Sequence, residues 1–400
     1  MPWCPDCEWN LDGYDPQRQA PEFGWGRVDR RTHRIAARLN RRQYAVLVDR
    51  PLASTGPGTA GVVTATVALL LTVGVLALAG LGCWLLVAYP FPNVAVLPGV
   101  ALIALAVALR PRLGRLDAEV EVLDRSQTPE LHALVAEVAA AIGAPVPQVV
   151  GVDASLTAYS TSVGLRRRRV LCLGLPLWGA LDGAQRVALI GHELAHFVNG
   201  DVRRLLLTRP ALTMLGDAAD LFRPVPARRD VGLLELLGEA VGRAVSWVLS
   251  RVLFGFHLLL VWTALRDGQR AEYLADELAA RVAGTDGARD LLDVLLSGDT
   301  VARVVRQASR AGDGPAAWRS AVARARTATA WRMPLVRQLS VRDEASLFAS
   351  HPPTGLRHRM LTARAPQEPT VTLDGNRMER LDAELTRHFD RTARTLAWSG

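Results

Sequence analysis

The chain has 400 residues, half of them apolar, with 47 basic and 39 acidic residues and a formal net charge of +8. This length allows one large domain with attachments or two modest domains. The apolar residues concentrate in a few runs, a pattern that excludes an ordinary, wholly soluble protein and indicates membrane segments. The four cysteines are too scattered for a disulfide framework, and no cleavable signal peptide is expected because residues 1–59 are polar and arginine-rich.

The N-terminal arm, residues 1–59, contains Cys4 and Cys7 in a C-x-x-C pair. This spacing is typical of half a zinc ribbon, but a structural zinc takes four protein ligands and His33 would add only a third. We call the turn that contains Cys4 and Cys7 the knuckle, and we expect that a partner completes its ligand set or that it holds no metal. The alternative is that the pair binds a metal within this chain.

Two apolar runs predict a membrane helical hairpin over residues 60–110. Gly61–Tyr89 is nearly uncharged and long enough to span a bilayer, and after a proline-containing turn a second run continues to Leu109. The arginines that flank the hairpin are Arg41, Arg42, Arg50, Arg110, Arg112 and Arg115. The positive-inside rule then places the arm and everything after the hairpin in the cytoplasm, in a multi-pass protein of the cell (inner) membrane. Because this orientation explains the surplus of arginine, a lipid bilayer is the expected partner and no nucleic acid is expected.

Residues 111–365 predict a mostly helical domain with a small β-sheet. Thr128 is the expected N-cap of an amphipathic helix that ends at Gly143, and Gln148–Asp153 and Val170–Leu173 are short strand candidates. The consecutive arginines Arg166–Arg169 are expected at a solvated hairpin corner. The charged tail, residues 366–400, is expected to be helical from Arg377 to Leu396.

The best-delimited helix covers Gly183–Val198. Asp182 and Gln185 form a capping-box pair at its start, and Asn199-Gly200 supplies a stop that tolerates left-handed backbone. The helix contains His192-Glu193-Leu194-Ala195-His196, the pattern H-E-x-x-H. The i, i+4 spacing puts both imidazoles on one face, where they can chelate one ion, with Glu193 beside them to accept a proton from an attacking water.

A catalytic zinc site has three protein ligands and one open position, so a third ligand is required. Glu272 and Asp276 lie one turn apart on a second expected helix, which starts after Asp267 and stops at Gly284. Glu272 would bind the metal. Asp276 would accept the outer N–H of a ligating histidine and fix its tautomer.

Because His196 and Glu272 must meet at one ion, the chain between them crosses the bilayer an even number of times. Two apolar stretches lie there, Leu205–Phe222 and Ala244–Leu265. Acidic residues within the first stretch make it a poor span. We therefore expect neither stretch to cross, with both crossing as the alternative.

Three blocks, in order HELAHFVNGD (His192–Asp201), RAEYLADELA (Arg270–Ala279) and SHPPTGLR (Ser350–Arg357), resemble those of the HtpX / CAAX prenyl protease family of integral-membrane zinc metallopeptidases. The likeness covers roughly residues 60–365. It implies a zincin-like domain of the gluzincin type.

The resemblance also implies roles for individual residues. The zinc ligands would be His192, His196 and Glu272, and the general base would be Glu193. His351 and Arg357 become candidates for binding substrate or stabilising the oxyanion, with a structural turn as the alternative. The family often has Asn-Ala before the metal helix where this chain has Thr157-Ala158, so recognition of the substrate backbone departs from the family pattern there.

The expected function is a membrane-anchored zinc metalloendopeptidase, and the resemblance implies membrane-associated or damaged proteins as its polypeptide substrates. An extended substrate would add to an edge strand near Thr157–Val170. CAAX processing is not expected, because the family members that perform it have more spans. The alternative is a non-catalytic membrane scaffold or regulator with a structural zinc and a partner-binding N-terminal knuckle. The sequence leaves the oligomeric state open.

Overall fold

The structure, a computed structural model, describes residues 3–19, 21–52, 59–89, 93–110, 115–164, 166–200, 214–221, 223 and 233–398. Helices make up 68% of the described residues and a four-stranded sheet accompanies them, which confirms the mostly helical fold class with a small sheet. The helices are α1 (Gly26–Leu47), α2 (Thr59–Ala88), α3 (Val96–Ala108), α4 (Pro129–Ile142), α5 (Leu175–Ala180), α6 (Gly183–Val198), α7 (residues 214–221), α8 (Leu233–Leu296), α9 (Gly298–Arg310), α10 (Pro315–Thr329), α11 (Met333–Asp343), α12 (Thr354–Ala363), α13 (Gly375–Glu384) and α14 (Thr386–Trp398). The strands are β1 (Glu121–Val122), β2 (Val149–Asp153), β3 (Ala158–Val163) and β4 (Arg168–Gly174).

Two compact units divide the chain. We call the first the sheet unit; it comprises Met1–Thr55, Arg115–Val202 and Gly268–Gly400. The second, which we call the apolar unit, comprises Gly56–Gly114 and Arg203–Asp267. Residues 1–55 of the N-terminal arm and the whole C-terminal tail belong to the sheet unit.

Within the apolar unit, α2 and α3 pack against each other through glycines. A Cβ added to Gly82 would lie 2.8 Å from the carbonyl oxygen of Gly99, and a Cβ on Gly99 would lie 3.1 Å from the carbonyl oxygen of Gly82. The contact at Gly82 leaves no room for a Cβ, and that at Gly99 is tight, as in close helix pairs of membrane proteins. With 13 residues, α3 is about 20 Å long, which is shorter than the ~30 Å hydrocarbon core of a bilayer.

By length and composition, two helices could cross a membrane among the described residues. Val62–Ala88 has a mean hydropathy of 2.5, and Ala240–Leu296 contains a window with a mean hydropathy of 1.8. Only 11% and 6% of the residues in these windows are buried, so most of the apolar side chains face outward. Ala68, Leu215 and Leu260 form the small buried cluster that joins α2, α7 and α8.

The second predicted helix of the site is part of a longer one. We expected it to start after Asp267, but α8 begins at Leu233 and continues through that position, so the predicted cap is wrong. Gly268 follows Asp267, but no proline lies near it, and a carboxylate alone does not end a helix. The predicted stop is confirmed locally: Gly284 has φ 79° and ψ 156° and breaks the helical geometry of α8. Of Leu205–Phe222, residues 214–221 are helical, and 205–213 lie outside the described residues.

The sheet unit is built around a sheet of order β1-β2-β4-β3. β2 and β4 pair in parallel, whereas β1 and β3 pair antiparallel with β2 and β4, respectively. β3 is therefore an edge strand. The turn between β3 and β4 contains Gly164 at φ 70° and Arg167 at φ 50°. Of the residues predicted at a hairpin corner, Arg166 and Arg167 lie in this turn, whereas Arg168 and Arg169 begin β4.

Long-range contacts complete the ends of two predicted helices. Thr128 stands at the N-cap of α4, but its side chain makes no cap bond; instead the Glu384 carboxylate accepts from the backbone N–H groups of Glu130 at 2.7 Å and Leu131 at 3.1 Å. The tail is divided into α13 and α14, where we expected one helix from Arg377 to Leu396. The bend lets Leu385 and Phe389 enter the main core.

The N-terminal arm packs on the segment that follows α10. Leu11 is fully buried in a cluster with Val341 and Leu356. Gln19 donates to the backbone oxygen of Arg342 at 2.8 Å, and His33 Nδ1 lies 3.1 Å from the backbone oxygen of Ala345. The arm thus holds α11, α12 and the loop between them.

Cys4 and Cys7 lie in the first turn of the arm as free thiols. A backbone hydrogen bond from Cys7 lowers the pKa of the Cys4 thiol. His33 contacts Ala345 and packs edge-on against Tyr14 at 5.6 Å between ring centroids, so it is not part of this knuckle. Among the described residues, no group of three candidate ligand atoms within 4.8 Å of one another includes either thiol.

Candidate metal centre

The first element of the site is α6, which starts and ends as predicted. The Asp182 side chain accepts from Gln185 N at 2.9 Å, and the Gln185 side chain accepts from Asp182 N at 3.1 Å, a complete capping box. Gly200 has φ 70° just after the helix. Nearly every residue of α6 is buried, so the H-E-x-x-H face is held within the core.

The second element, α8, approaches α6 closely at the site. A Cβ on Gly191 would lie 2.5 Å from Val282 Cγ2 and 3.2 Å from Ala279 Cα, so only glycine permits this spacing. Asn199, at the C-cap of α6, donates from Nδ2 to the backbone oxygen of Ala271 at 3.2 Å. These contacts hold the turn of α6 that contains the histidines against the turn of α8 that contains Glu272.

His192, His196 and Glu272 come together at one point. Their ligand atoms all lie within 4.8 Å of one another, and they are the only such cluster of three or more among the described residues. His192 Nε2 is 3.4 Å from Glu272 Oε2, and His196 Nε2 is 3.6 Å from Glu272 Oε1. The two imidazole rings are nearly perpendicular, at 89°, with centroids 5.1 Å apart.

The spacing of these donors suits a small metal ion. Bonds of ~2.0–2.2 Å from zinc to nitrogen or oxygen place neighbouring ligands of a tetrahedron about 3.3–3.6 Å apart. The two histidines lie 3.4 and 3.6 Å from the two oxygens of Glu272, His192 Nε2 from Oε2 and His196 Nε2 from Oε1. Glu272 Oε2 is buried and lies 3.4 Å from His192 Nε2 and 2.7 Å from His351 Nδ1. A buried carboxylate is stabilised by such nearby cations or donors.

Asp276 lies one turn further along α8 and contacts the outer nitrogen of His192. Its Oδ1 is 3.1 Å from His192 Nδ1. With the proton on Nδ1, this contact leaves Nε2 as the lone-pair donor that points to Glu272.

Arg357, in the first turn of α12, holds Asp276 from the other side. Its Nε and Nη2 donate to the two oxygens of Asp276 at 2.8 and 2.6 Å, a bidentate pair. The guanidinium side chain is only 7% exposed. Its Nη2 also lies 3.4 Å from His192 Nδ1, a longer contact that follows from both groups meeting at Asp276.

The site is charged although it is buried. Burial raises the pKa of Glu272, but the histidines around it outweigh that effect and hold its pKa well below the usual value. Burial likewise raises the pKa of Asp276, and the Arg357 guanidinium more than offsets it, so that pKa is also lowered. Burial lowers the pKa of His192, whereas hydrogen bonds to Asp276 and Glu272 raise it to about 10. Both carboxylates are therefore ionised at neutral pH, and a cation at the centre would displace a proton from His192.

His351 lies at the open side of the site. Its Nδ1 is 2.7 Å from Glu272 Oε2, and 56% of its side chain is exposed. The loop that presents it is tied to α8, because Gln269 Nε2 donates to the backbone oxygen of Ala349 at 3.0 Å. His351 is thus the solvent-facing side chain that borders the three donors.

The start of α12 is fixed by residues that the sequence analysis did not single out. Glu344 Oε2 accepts from Thr354 N at 2.6 Å, and Ser340 Oγ accepts from Gly355 N at 2.8 Å. A Cβ on Gly355 would lie 2.0 Å from the Arg337 carbonyl oxygen, so glycine is required there. No local motif marks these residues, since each acts across a chain reversal.

Glu193 follows His192 on α6 and is 7% exposed. Unlike Glu272 and Asp276, it has no ion-pair partner among the residues that the structure describes.

Comparisons with known proteins connect this geometry to a family. Residues 125–365 match the family model described as Peptidase family M48. No solved structure matches the chain.

Two curated relatives have similar sequences. A protease HtpX homolog of Methanothermobacter thermautotrophicus is 25% identical over 155 residues, which is 38% of this chain and 60% of that protein. A protease HtpX homolog of Thermococcus kodakarensis is 27% identical over 246 residues, which is 59% of this chain and 73% of that protein. The chain thus spans less than two thirds of the first relative and somewhat more of the second.

Proposed function

Because the chain belongs to peptidase family M48, with more than half of its length in the family match, we propose that it is a membrane-anchored zinc metallopeptidase. The observation that supports this most directly is the convergence of His192, His196 and Glu272, from two helices, within 4.8 Å of one another. Three donors leave one position of a tetrahedral ion open, as catalytic rather than structural zinc sites do.

The three donors would hold the ion. When bound there, zinc supplies Lewis-acid chemistry that acidifies water and polarises a carbonyl. Glu193 accepts the proton of the attacking water and returns it to the leaving amine, since it adjoins the donors and is not committed to an ion pair within the described residues. His351, exposed at the rim, is placed to donate to the oxyanion of the tetrahedral intermediate.

Arg357 has a different role in this proposal. Its guanidinium is buried and both of its bonded nitrogens face Asp276, so it is a positioning residue. It orients Asp276, which in turn fixes the tautomer and the ring direction of His192.

The edge strand β3 is the proposed docking place for the substrate backbone. β3 pairs only with β4 in the described sheet, and it contacts the metal helix α6. An extended peptide that adds to this edge would be held by main-chain hydrogen bonds, which suit an endopeptidase that accepts many sequences.

The substrates that we propose are membrane-associated polypeptides. Val62–Ala88, a helix long and apolar enough to cross a bilayer, supports this choice, because an anchored enzyme acts at high effective concentration on chains held in the same membrane. We place the catalytic unit on the cytoplasmic side of the cell membrane, as the arginines beside the first span favour.

Replacement of the general base tests the function. Glu193→Gln in the full chain should keep about one zinc per chain and lose hydrolysis of an unfolded protein substrate by about 10²–10⁴-fold. The matched control is Glu119→Gln, on an exposed surface of the sheet unit, which should leave both quantities unchanged. Wild-type-like hydrolysis by Glu193→Gln would refute the assignment, and joint loss of zinc would make Glu193 a ligand instead.

A further inference from the structure

The solvent face of α1 is densely basic. Arg27, Arg30, Arg31, Arg34, Arg38 and Arg42 are all exposed on this helix. Five of them, with Ile35, line one shallow concavity of about 570 Å³. The proposed peptidase chemistry makes no use of this face.

No carboxylate neutralises the α1 arginines among the described residues. The one acidic residue of α1, Asp29, is buried and accepts from Phe23 N at 2.8 Å. Elsewhere in the sheet unit arginines are paired: Arg377, for example, contacts both Glu130 and Glu137 at 2.6 and 2.7 Å. Like charges at i, i+4 disfavour a helix, so the stripe does not serve the stability of α1. An external anion would neutralise it.

The surroundings of the stripe indicate what kind of anion. Trp25, at the N-cap of α1, is 73% exposed and Phe23 is 38% exposed. A basic helix face with exposed aromatic residues beside it is typical of helices that lie at a membrane surface. The opposite face of α1 is occupied, since Ala36, Ala37 and Leu47 are buried in the sheet unit.

Chain connectivity keeps this face near a membrane. α1 ends at Leu47 and α2 begins at Thr59, so the eleven residues 48–58 can span at most about 40 Å. If Val62–Ala88 is inserted, as the proposed anchoring requires, the C-terminal end of α1 remains within that reach of lipid headgroups. Arg27, twenty residues before Leu47, lies about 30 Å further along the helix.

We propose that the arginine face of α1 is a docking surface for the anionic headgroups of the cytoplasmic leaflet, and that it thereby orients the sheet unit on the membrane. This inference rests on the membrane anchoring proposed above. Basic residues near an anionic surface each strengthen binding by about fivefold. Loss of three should therefore weaken docking by about a hundredfold, and salt should weaken it as well.

The test uses the full chain in nanodiscs with or without 30 mol % anionic phospholipid. A fluorophore at Ile35→Cys, on the same face and 39% exposed, would report contact with lipids that have a quencher on the headgroup. The exposed or half-exposed native thiols of Cys4, Cys7 and Cys83 are replaced by serine, and the buried Cys172 is kept. The test variant is Arg30→Gln with Arg34→Gln and Arg38→Gln. The matched control removes the same charge from exposed positions on α9 and α10, namely Arg303→Gln with Arg310→Gln and Arg324→Gln.

We expect strong quenching in anionic nanodiscs and weak quenching in neutral ones. This difference between the two lipids should disappear in 0.5 M salt and in the α1 variant, but it should remain in the control variant. Equal quenching in both lipids, or an unchanged signal in the α1 variant, would overturn the inference. So would an α1-dependent gel shift with RNA in the absence of lipid quenching. Co-elution of the chain with neutral nanodiscs distinguishes failure of the docking surface from failure of the membrane anchoring. If the chain co-elutes but shows no quenching, only the docking surface is refuted. If the chain does not co-elute, the anchoring is refuted as well.

Discussion

Arg357 is not a proposed metal ligand, but its replacement by methionine should lower both the stability of the chain and its affinity for zinc. The side chain makes two charge-assisted hydrogen bonds to Asp276, at 2.8 and 2.6 Å, in a fully buried environment. Removing one partner of a buried pair costs about 3–5 kcal/mol, because the other charge is left uncompensated. Since Asp276 orients His192, we also expect zinc affinity to fall about 10–100-fold.

The assay combines unfolding of the full chain with zinc competition against a chelator. Arg357→Met with Asp276→Asn is the matched double variant: it leaves no buried unpaired charge, so it should be more stable than Arg357→Met alone. The reasoning is refuted if Arg357→Met binds zinc and unfolds like the wild type while KM rises, because Arg357 would then act on the substrate. The same variants separate a positioning role from an oxyanion role, since only the former predicts weaker zinc binding in the absence of substrate.

Two further predictions concern the arm and the helix that follows it. Leu11→Ala should lower the free energy of unfolding by about 2–5 kcal/mol, since Leu11 is 0% exposed in its cluster with Val341 and Leu356; denaturant unfolding checks this, and a loss below about 1 kcal/mol would mean that the arm is not packed as described. Burial, with the nearby Arg337 charge, lowers the pKa of His358 to about 4, below the ~6.5 of an unfolded chain, so protonation favours unfolding. Stability should therefore fall as pH drops from about 6.5 to 4, by up to about 3 kcal/mol, and His358→Gln should flatten that part of the pH profile; an identical slope in the variant would contradict the burial of a neutral His358.

The sequence predicts the parts of the site that local chemistry determines. α6 is delimited by its own capping box and glycine stop, and the i, i+4 spacing of its histidines fixes one face of the ion. Glu272 and Asp276 follow the same spacing on α8. Their position beside His192 was predicted from two chemical requirements: a third ligand for the metal and an acceptor for the outer nitrogen of a ligating histidine.

Contacts between distant segments could not be predicted in this way. Glu384 caps α4 across a separation of more than 250 residues, whereas the local candidate Thr128 makes no cap bond. The arm has no periodic pattern that identifies its partner, yet it packs on α11 and α12. The bidentate pair of Arg357 with Asp276 likewise depends on the turn at Gly355, and no short sequence motif predicts that turn.

The start of α8 was mispredicted for a related reason. Asp267 has the residue type of an N-cap, but a cap forms only where the preceding chain leaves helical geometry. The residues before Asp267 are helical, so Asp267 lies inside α8 and does not cap the start of a helix.

The most direct test of the central claim is the zinc content of the purified full chain compared with that of Glu272→Gln. Asp286→Asn is the control, because that carboxylate lies on the same helix with a 93% exposed side chain. We predict about one zinc per chain for the wild type and the control, and little zinc in Glu272→Gln at the same free zinc concentration. Wild-type zinc occupancy in Glu272→Gln would contradict the account, since the two helices would then not share an ion.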